Sequence, residues 1–174
     1  MSPFASRDVL TRVGTAKARD VASWKEGVSL ENRSGRDIDA LIRRAVADRW
    51  DLANRARLRA DRLSRERSSF SRDAVSRYYY SMYHAARALV FLATKGDDHD
   101  DHTKLPTRLP EDLHQVDRWK TVLKEARIAR NAADYDPYPK SDAAWAANAR
   151  DLKADTLEFL GVVKDYCRDR GCPI

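Results

Sequence analysis

Apolar side chains recur at helical spacing along four separate stretches of this chain. The clearest stripe begins at Ile38 and ends at Leu63, with apolar residues at intervals of three, four and seven. Such spacing places side chains on one face of an α-helix. The chain has only 6 Gly and 6 Pro among 174 residues, so few positions interrupt a helix. The most strand-like run, Tyr78–Tyr80, lies inside a helical pattern, and an all-α protein is therefore predicted.

The four stretches are separated by polar segments and prolines. We expect helices at about residues 37–63, 72–94, 110–134 and 142–170. Pro110 suits the first position of the third helix, and Ser71 and Ser141 suit the caps of the second and fourth. Four amphipathic helices joined by short links predict an up-down bundle of four to five helices.

The N-terminal segment has weaker periodicity and scattered glycines and serines. We expect residues 1–34 to form an N-terminal arm with one short helix near Lys17–Trp24. Residues 35–174 are expected to form the helical bundle. Ser34 is the predicted cap of the first long helix, with Asp37 three residues later as the second half of a capping box.

The positive charge of the chain is concentrated in one segment. Between Arg33 and Arg77 there are thirteen arginines, no lysine and seven acids, a net charge of +6 that equals the net charge of the whole chain. Arginine binds phosphate with a forked geometry, so this segment suits a nucleic acid or a nucleotide. A solvated helix face in an arginine-rich protein explains the same pattern, and both interpretations stay open.

Cysteine usage and the absence of apolar runs indicate a cytoplasmic protein. Cys167 and Cys172 are too few for a structural zinc site by themselves and are expected to be free thiols. No signal peptide and no membrane span are predicted. The loop with His99 and His102 lies among four aspartates, but a mobile loop is a poor frame for a metal, so neither a metal nor a cofactor is expected.

A dense polar cluster is predicted at the end of the third helix. Arg127, Arg130 and Asp134 share one helical face, with Asn131 and Tyr135 beside them. Two arginines held together can bind and polarise a phosphate. The alternative is structural, because Arg130 and Asp134 are four residues apart and can form a helical salt bridge. In the same way Arg127 can pair with Asp136.

A second candidate cluster lies on the second helix, where four polar side chains fall on one face: Arg77, Tyr80, His84 and Arg87. Neighbouring arginines disfavour a charged imidazole and lower the pKa of His84. A neutral His84 could take or give a proton. The alternative is a core histidine that is hydrogen-bonded by a tyrosine.

Three sequence features together resemble HEPN-domain proteins. They are the run Tyr78-Tyr-Tyr-Ser-Met-Tyr-His-Ala-Ala-Arg-Ala-Leu89, the loop with His99 and His102, and Arg130-Asn-Ala-Ala-Asp-Tyr-Asp136. The chain is most similar to the branch with a Tyr-Tyr-x-Met-Phe-His-Ala-Ala-Arg-Ala-type helix and an Arg-x-x-x-Asp-Tyr ending. The resemblance extends from about Asp37 to Cys167.

This resemblance implies a small helical bundle that commonly dimerises. Many members are metal-independent endoribonucleases that act as toxins or in phage defence, and many are encoded beside a small nucleotidyltransferase. The partners it implies are therefore RNA, a second copy of the chain and a nucleotidyltransferase antitoxin. The aromatic-rich second helix also favours a dimer if one small bundle leaves it partly uncovered.

The family motif is an arginine, usually followed by a polar residue, then a histidine a few residues later. Arg130 and Asn131 match its first half, whereas Tyr135 stands where a histidine is expected. A tyrosine, with a pKa of about 10, is a poor general base at neutral pH. Whether the protein is an enzyme therefore stays open at this stage.

Two functions follow as expectations. In the first, an endoribonuclease uses one catalytic set and one set of residues that bind RNA phosphates. The catalytic candidates are Arg130, Asn131, Asp134, Tyr135 and His84, and the phosphate-binding candidates are Arg127, Arg77, Arg87 and Tyr80. In the second, the bundle is a non-catalytic dimeric scaffold or the regulatory partner of a nucleotidyltransferase. A third possibility is that Arg130, Asp134 and Tyr135 form only a structural network.

Overall fold

The computed structural model describes residues 6–96, 101–138 and 140–174. These residues form six α-helices and no strand, which confirms the all-α prediction. The helices are α1 (Arg7–Gly14), α2 (Ala18–Ser34), α3 (Ile38–Glu66), α4 (Ser71–Thr94), α5 (Val116–Tyr135) and α6 (Asp142–Arg168). Two short 3-10 helices lie at Ser68–Phe70 and Leu105–Arg108. None of the described helices is long and apolar enough to cross a membrane.

The chain divides into two compact units, Met1–Leu41 and Ile42–Ile174. In the first unit the helix expected near Lys17–Trp24 is present as α2, but it is longer, with 17 residues, and a further helix, α1, precedes it. Gly27 lies inside α2 without ending it. One glycine costs a helix only about 1 kcal/mol relative to alanine, so it is a weak stop signal. No described residue of α2 is buried.

The start of α3 differs from the predicted capping box. The carboxylate of Asp37 accepts a hydrogen bond from the amide of Ala40 at 2.6 Å, and Glu31 Oε1 accepts one from the amide of Ile38 at 3.0 Å. The hydroxyl of Ser34 instead accepts from the amide of Arg36 at 3.2 Å. Asp37 is therefore the capping residue, and Ser34 belongs to the preceding turn.

Two other predicted helix starts were also wrong. Ser71 is already the first residue of α4, since the 3-10 helix before it leads directly into the α-helix. Pro110 does not begin α5, which starts at Val116 after Gln115 in a left-handed conformation (φ 56°). Leu105, Leu109 and Leu113 are only 2–3% exposed. The connection between α4 and α5 therefore packs against the core in short turns and does not continue as a helix from Pro110. Ser141 caps α6 as expected, by accepting from Ala144 N.

Helix α4 is the central helix of the second unit, with fifteen of its 24 residues buried. It packs against α5 and α6. The largest fully buried side chains around it include Trp119, Trp145 and Phe159. Of its tyrosines, Tyr78, Tyr79 and Tyr83 are at most 5% exposed within a single chain. Most aromatic residues of this helix are thus covered within one chain, and only Tyr80 and Phe91 are partly buried. The expectation of a dimer therefore depends mainly on the family.

A buried carboxylate joins α3 to α4 and α6. Asp61 accepts hydrogen bonds from Tyr78 Oη at 2.8 Å and Arg57 Nη1 at 2.7 Å, and Lys153 Nζ lies 3.1 Å away. Burial by itself would raise the pKa of Asp61, but these three partners outweigh it and hold the pKa below its ordinary value. In the same unit Cys167 and Cys172 are free and buried, as the sequence predicted for the thiols.

Candidate functional site

The last turn of α5 positions the candidate cluster, and it is fixed by an arginine from α4. Arg72 donates hydrogen bonds to the backbone carbonyls of Ala133 and Asp136, the second at 2.9 Å. These carbonyls have no partner within the helix, and a cation suits the negative end of the helix dipole. Asp136 is extended, as expected before Pro137, so α5 ends at Tyr135.

Arg130 is held by three polar partners. Its Nε lies 2.7 Å from Asp134 Oδ2, an ion pair without the alignment of a good hydrogen bond. Nη2 donates to Tyr80 Oη at 2.6 Å, and Nη1 donates to Asn131 Oδ1 at 3.1 Å. The predicted salt bridge between Arg130 and Asp134 is therefore confirmed. Burial alone would lower the pKa of Arg130, but Asp134, Tyr80 and Tyr135 outweigh it and raise the pKa.

Tyr80 connects this arginine to the face predicted on α4. Its ring lies 5.2 Å from the guanidinium carbon of Arg130 and 5.8 Å from that of Arg77. The ring also stacks on His84 with centroids 6.4 Å apart. Arg77, Tyr80 and His84 therefore share one surface with Arg130, although Tyr80 and Arg130 are 50 residues apart in sequence.

His84 has the lowered pKa that the sequence predicted. Burial is the largest cause, followed by Arg87 and Arg49, and together with a smaller effect of His102 they lower the pKa of His84 to about 4. One of the two arginines is thus on α3, whereas the prediction placed both on α4. Nδ1 of His84 is buried and has no hydrogen-bond partner among the described residues. Tyr80 stacks on the ring, so the alternative of a tyrosine-bonded core histidine is not what the structure shows.

His102 is a second histidine of this cluster, and sequence reasoning missed it. Its ring stacks on Tyr83 with centroids 3.9 Å apart and an interplanar angle of 8°. Its Nδ1 lies 2.6 Å from Tyr79 Oη. Burial lowers the pKa of His102, and Arg130 and Arg87 lower it further. The available signal was the pair Tyr79 and Tyr83, which are four residues apart and present two rings on one helical face.

The connection that carries His102 is also tied to α5. Arg127 Nη1 donates to Thr103 Oγ1 at 3.2 Å, so the predicted pairing of Arg127 with Asp136 was wrong. The carboxylate of Asp136 instead accepts from the amide of Tyr138 at 2.8 Å. His99 and the aspartates at 97, 98 and 100 lie outside the described residues. Within the described part of the chain there is no group of three or more residues that could hold a metal ion.

The two remaining candidates lie at the margins of the cluster. Tyr135 is 69% exposed, and the guanidinium carbon of Arg130 lies 5.1 Å from the centre of its ring. Arg87 lies 5.8 Å from the ring of Tyr83, on the His102 side. The structure therefore connects all nine predicted residues to one cluster: Arg77, Tyr80, His84, Arg87, Arg127, Arg130, Asn131, Asp134 and Tyr135.

An open groove of about 600 Å³ lies beside this cluster, between α3 and α4. Helix α3 lines it with Leu52, Arg55, Ala56, Leu58 and Arg59, and α4 lines it with Arg77, Tyr80 and His84. Arg55 and Arg59 are further residues that sequence reasoning did not single out. Their spacing of four within the arginine-rich segment was the signal that could have identified them.

Comparison with known proteins agrees with this architecture. The family model of the HEPN domain matches residues 46–166, which is well over half of the chain. Searches of the curated proteins and of the solved structures give no match. The matched region contains α4 and α5 entire and nearly all of α6, and with them Arg130, His84 and His102. The chain therefore belongs to the HEPN domain family.

Proposed function

We propose that this HEPN protein binds RNA and cleaves it as a metal-independent endoribonuclease, with its active site around Arg130. The observation that carries the proposal is the position of His102 against Tyr79 and Tyr83, beside the cluster of Arg130 and Tyr80. The histidine that the sequence lacks after Arg130 is thereby supplied from a different part of the chain. Membership of the HEPN family supports this proposal, because HEPN domains suggest a ribonuclease or nucleotide-binding family and commonly dimerise.

The proposed reaction is attack of a ribose 2′-oxygen on the adjacent phosphorus. The imidazole of His102 takes the 2′-hydroxyl proton as the 2′-O–P bond forms, and the P–O5′ bond breaks. The 5′-oxygen then takes up a proton from the imidazolium or from water, leaving a 2′,3′-cyclic phosphate and a 5′-hydroxyl. In this proposal Nδ1–H of His102 donates to Tyr79 Oη, so Nε2 carries no proton and is the nitrogen assigned to proton transfer.

The other residues of the cluster have supporting roles in this proposal. Arg130 and Arg127 stabilise the negative charge that develops on the phosphate. Asp134 and Asn131 hold the guanidinium of Arg130 in place. His84, neutral near pH 7 because its pKa is about 4, is suited to hydrogen bonding with the substrate.

The test is cleavage of total RNA and of tRNA by the purified protein in the presence of EDTA. We expect fragments with 2′,3′-cyclic phosphate ends, loss of cleavage in Arg130→Ala, and a decrease of about 100-fold or more in His102→Asn. His114→Asn is the matched control, since His114 is exposed and lies outside the cluster. No cleavage by the wild-type protein, or equal cleavage by Arg130→Ala, would refute the proposal.

A second candidate function is a non-catalytic dimeric scaffold or the regulatory partner of a nucleotidyltransferase. It is favoured by the engagement of Arg130 with Asp134, Tyr80 and Asn131, because a phosphate would have to share or displace these contacts. In this case a co-expressed neighbouring nucleotidyltransferase should co-purify with the protein, and RNA should remain intact. Arg130→Ala should then lower the melting temperature and leave partner binding unchanged.

The proposed setting is a toxin–antitoxin or phage-defence system with a homodimeric protein. Light scattering at micromolar concentration tests the dimer, and a monomer under these conditions would contradict it. Growth arrest on expression of the wild-type protein but not of Arg130→Ala would support the toxin assignment.

A further inference from the structure

The groove between α3 and α4 combines three arginines with an apolar surface. Arg55 and Arg59 lie one turn apart on α3, and Arg77 is on α4. Leu52 and Leu58, on the same side of α3, remain 41% and 51% exposed. A charged rim beside exposed leucines is an unusual surface for one chain to leave open, and it suits a ligand with an anionic part and an apolar part.

The three arginines of the groove form no ion pair with any residue that the structure describes. Other arginines of α3 are neutralised within the helix: Arg44 pairs with Asp48 at 2.9 Å and Arg57 pairs with Asp61 at 2.7 Å. Among the described residues, none that lines the groove is acidic. Unpaired guanidinium groups have forks of N–H donors available for phosphate oxygens. The rim of the groove is therefore suited to an anion.

The inner wall of the groove is suited to a flat, partly polar ring. The aromatic ring of Tyr80 and the imidazole of His84 lie stacked along it, opposite Leu52 and Leu58. His84 is neutral near pH 7, because burial and the neighbouring arginines lower its pKa to about 4, so this wall adds no charge of its own. The volume of about 600 Å³ falls within the range of small-molecule sites.

We propose that this groove binds one unpaired nucleotide of single-stranded RNA. The base lies against Leu52, Leu58 and the ring of Tyr80, and the phosphate is held by Arg55, Arg59 and Arg77. The assignment rests on the proposed function in one respect, because Tyr80 also contacts Arg130 and the bound nucleotide is then a neighbour of the scissile phosphate. Since a paired base cannot leave its stack at low cost, the groove selects single-stranded over double-stranded RNA.

The test uses the full chain carrying Arg130→Ala, so that the RNA stays intact during binding. Fluorescence anisotropy measures the affinity for a labelled single-stranded octaribonucleotide and for the same sequence as a duplex. We expect the single strand to bind at least tenfold more tightly than the duplex. Adding Arg55→Ala and Arg59→Ala should weaken single-strand binding at least tenfold and reduce the slope of log affinity against log salt by about 1.4.

Two further variants test the apolar wall of the groove and control for the loss of an arginine. Leu58→Asp should weaken single-strand binding because it places a carboxylate at the wall of the groove. Arg44→Ala is the matched control for a lost arginine on α3, since Arg44 does not line the groove and pairs with Asp48. It should leave the affinity within twofold. AMP and UMP serve as competitors of the labelled oligonucleotide. If either mononucleotide displaces the oligonucleotide at an equal concentration, the groove binds free nucleotides and the RNA proposal is overturned.

Equal affinity for single-stranded and duplex RNA, or an unchanged affinity in the double arginine variant, would overturn the proposal. A third contrary result is a dimer that Leu58→Asp converts to a monomer with no effect on RNA affinity, because the groove is then a subunit interface. The two proposals can fail separately. Binding at the groove without cleavage by the wild-type protein refutes only the ribonuclease, whereas cleavage that does not depend on Arg55 and Arg59 refutes only the subsite.

Discussion

Replacement of His84 by glutamine should make the folded protein less sensitive to acid. In the folded chain burial, Arg87 and Arg49 lower the pKa of His84 from 6.5 to about 4. As the pH falls from 6.5 towards 4, the unfolded chain binds a proton at this position and the folded chain does not. The free energy of unfolding therefore decreases across this window in the wild-type protein, and His84→Gln should remove the part of that decrease that His84 causes.

The magnitude follows from the difference between the two pKa values. One pKa unit corresponds to about 1.4 kcal/mol, so the shift from 6.5 to about 4 corresponds to about 3 kcal/mol at the acid end of the window. The ring is only partly buried, and solvent reduces the effect, so we expect about 2 kcal/mol between pH 7 and pH 4.5. Asp61, whose pKa is below its ordinary value, loses its contribution only at lower pH and stays outside this window.

Urea denaturation at pH 7.5, 5.5 and 4.5 measures the effect for the wild-type protein and the variant. His102 has a lowered pKa for related reasons and contributes in the same direction, so His102→Gln and the double variant complete the series. His114→Gln is the control on an exposed histidine outside the cluster. The reasoning is refuted if His84→Gln loses as much stability on acidification as the wild-type protein.

Three other substitutions test contacts elsewhere in the second unit. Asp61→Ala removes the carboxylate shared by Tyr78, Arg57 and Lys153. It should lower the free energy of unfolding, measured with urea at pH 7.5, by about 3 kcal/mol, and a loss below about 1 kcal/mol would contradict this. Arg72→Ala removes two hydrogen bonds to the last carbonyls of α5, and should cost about 1–2 kcal/mol and speed hydrogen exchange of the last turn. Tyr79→Phe removes the hydroxyl that holds His102 Nδ1. It should lower the rate of the proposed RNA cleavage about tenfold with little change in melting temperature. An unchanged rate would count against His102 as the base.

Helical periodicity was sufficient to predict the helices whose limits are local. Residues 72–94 and 142–170 were expected to be helical, and α4 and α6 run from Ser71 to Thr94 and from Asp142 to Arg168. The start of α5 was missed by six residues, because proline at a first helical position is a local signal. The burial of Leu109 and Leu113 that decides the path of this segment is a tertiary effect.

The same distinction applies to the candidate site. The ion pair between Arg130 and Asp134 joins residues four apart on one helix, so spacing alone predicted it. The contacts of Tyr80 with Arg130 and of Tyr79 with His102 cross 50 and 23 residues. They depend on how α4 packs against α5 and the connection between them, which periodicity does not specify. His102 was therefore assigned to a mobile loop, although its ring is stacked on Tyr83.

Tyr80 belongs both to the cluster around Arg130 and to the groove between α3 and α4. Its hydroxyl accepts from Arg130 Nη2, while its ring lines the groove and stacks on His84. A nucleotide that presses on this ring would therefore act on the hydrogen bond that orients Arg130. Under the proposed function, groove binding and cleavage are then coupled through one side chain.

Tyr80→Phe keeps the ring and breaks the hydrogen bond, so it should preserve affinity for single-stranded RNA while lowering the rate of cleavage. If Tyr80→Phe lowers the affinity for single-stranded RNA and the rate of cleavage by the same factor, Tyr80 acts in binding alone.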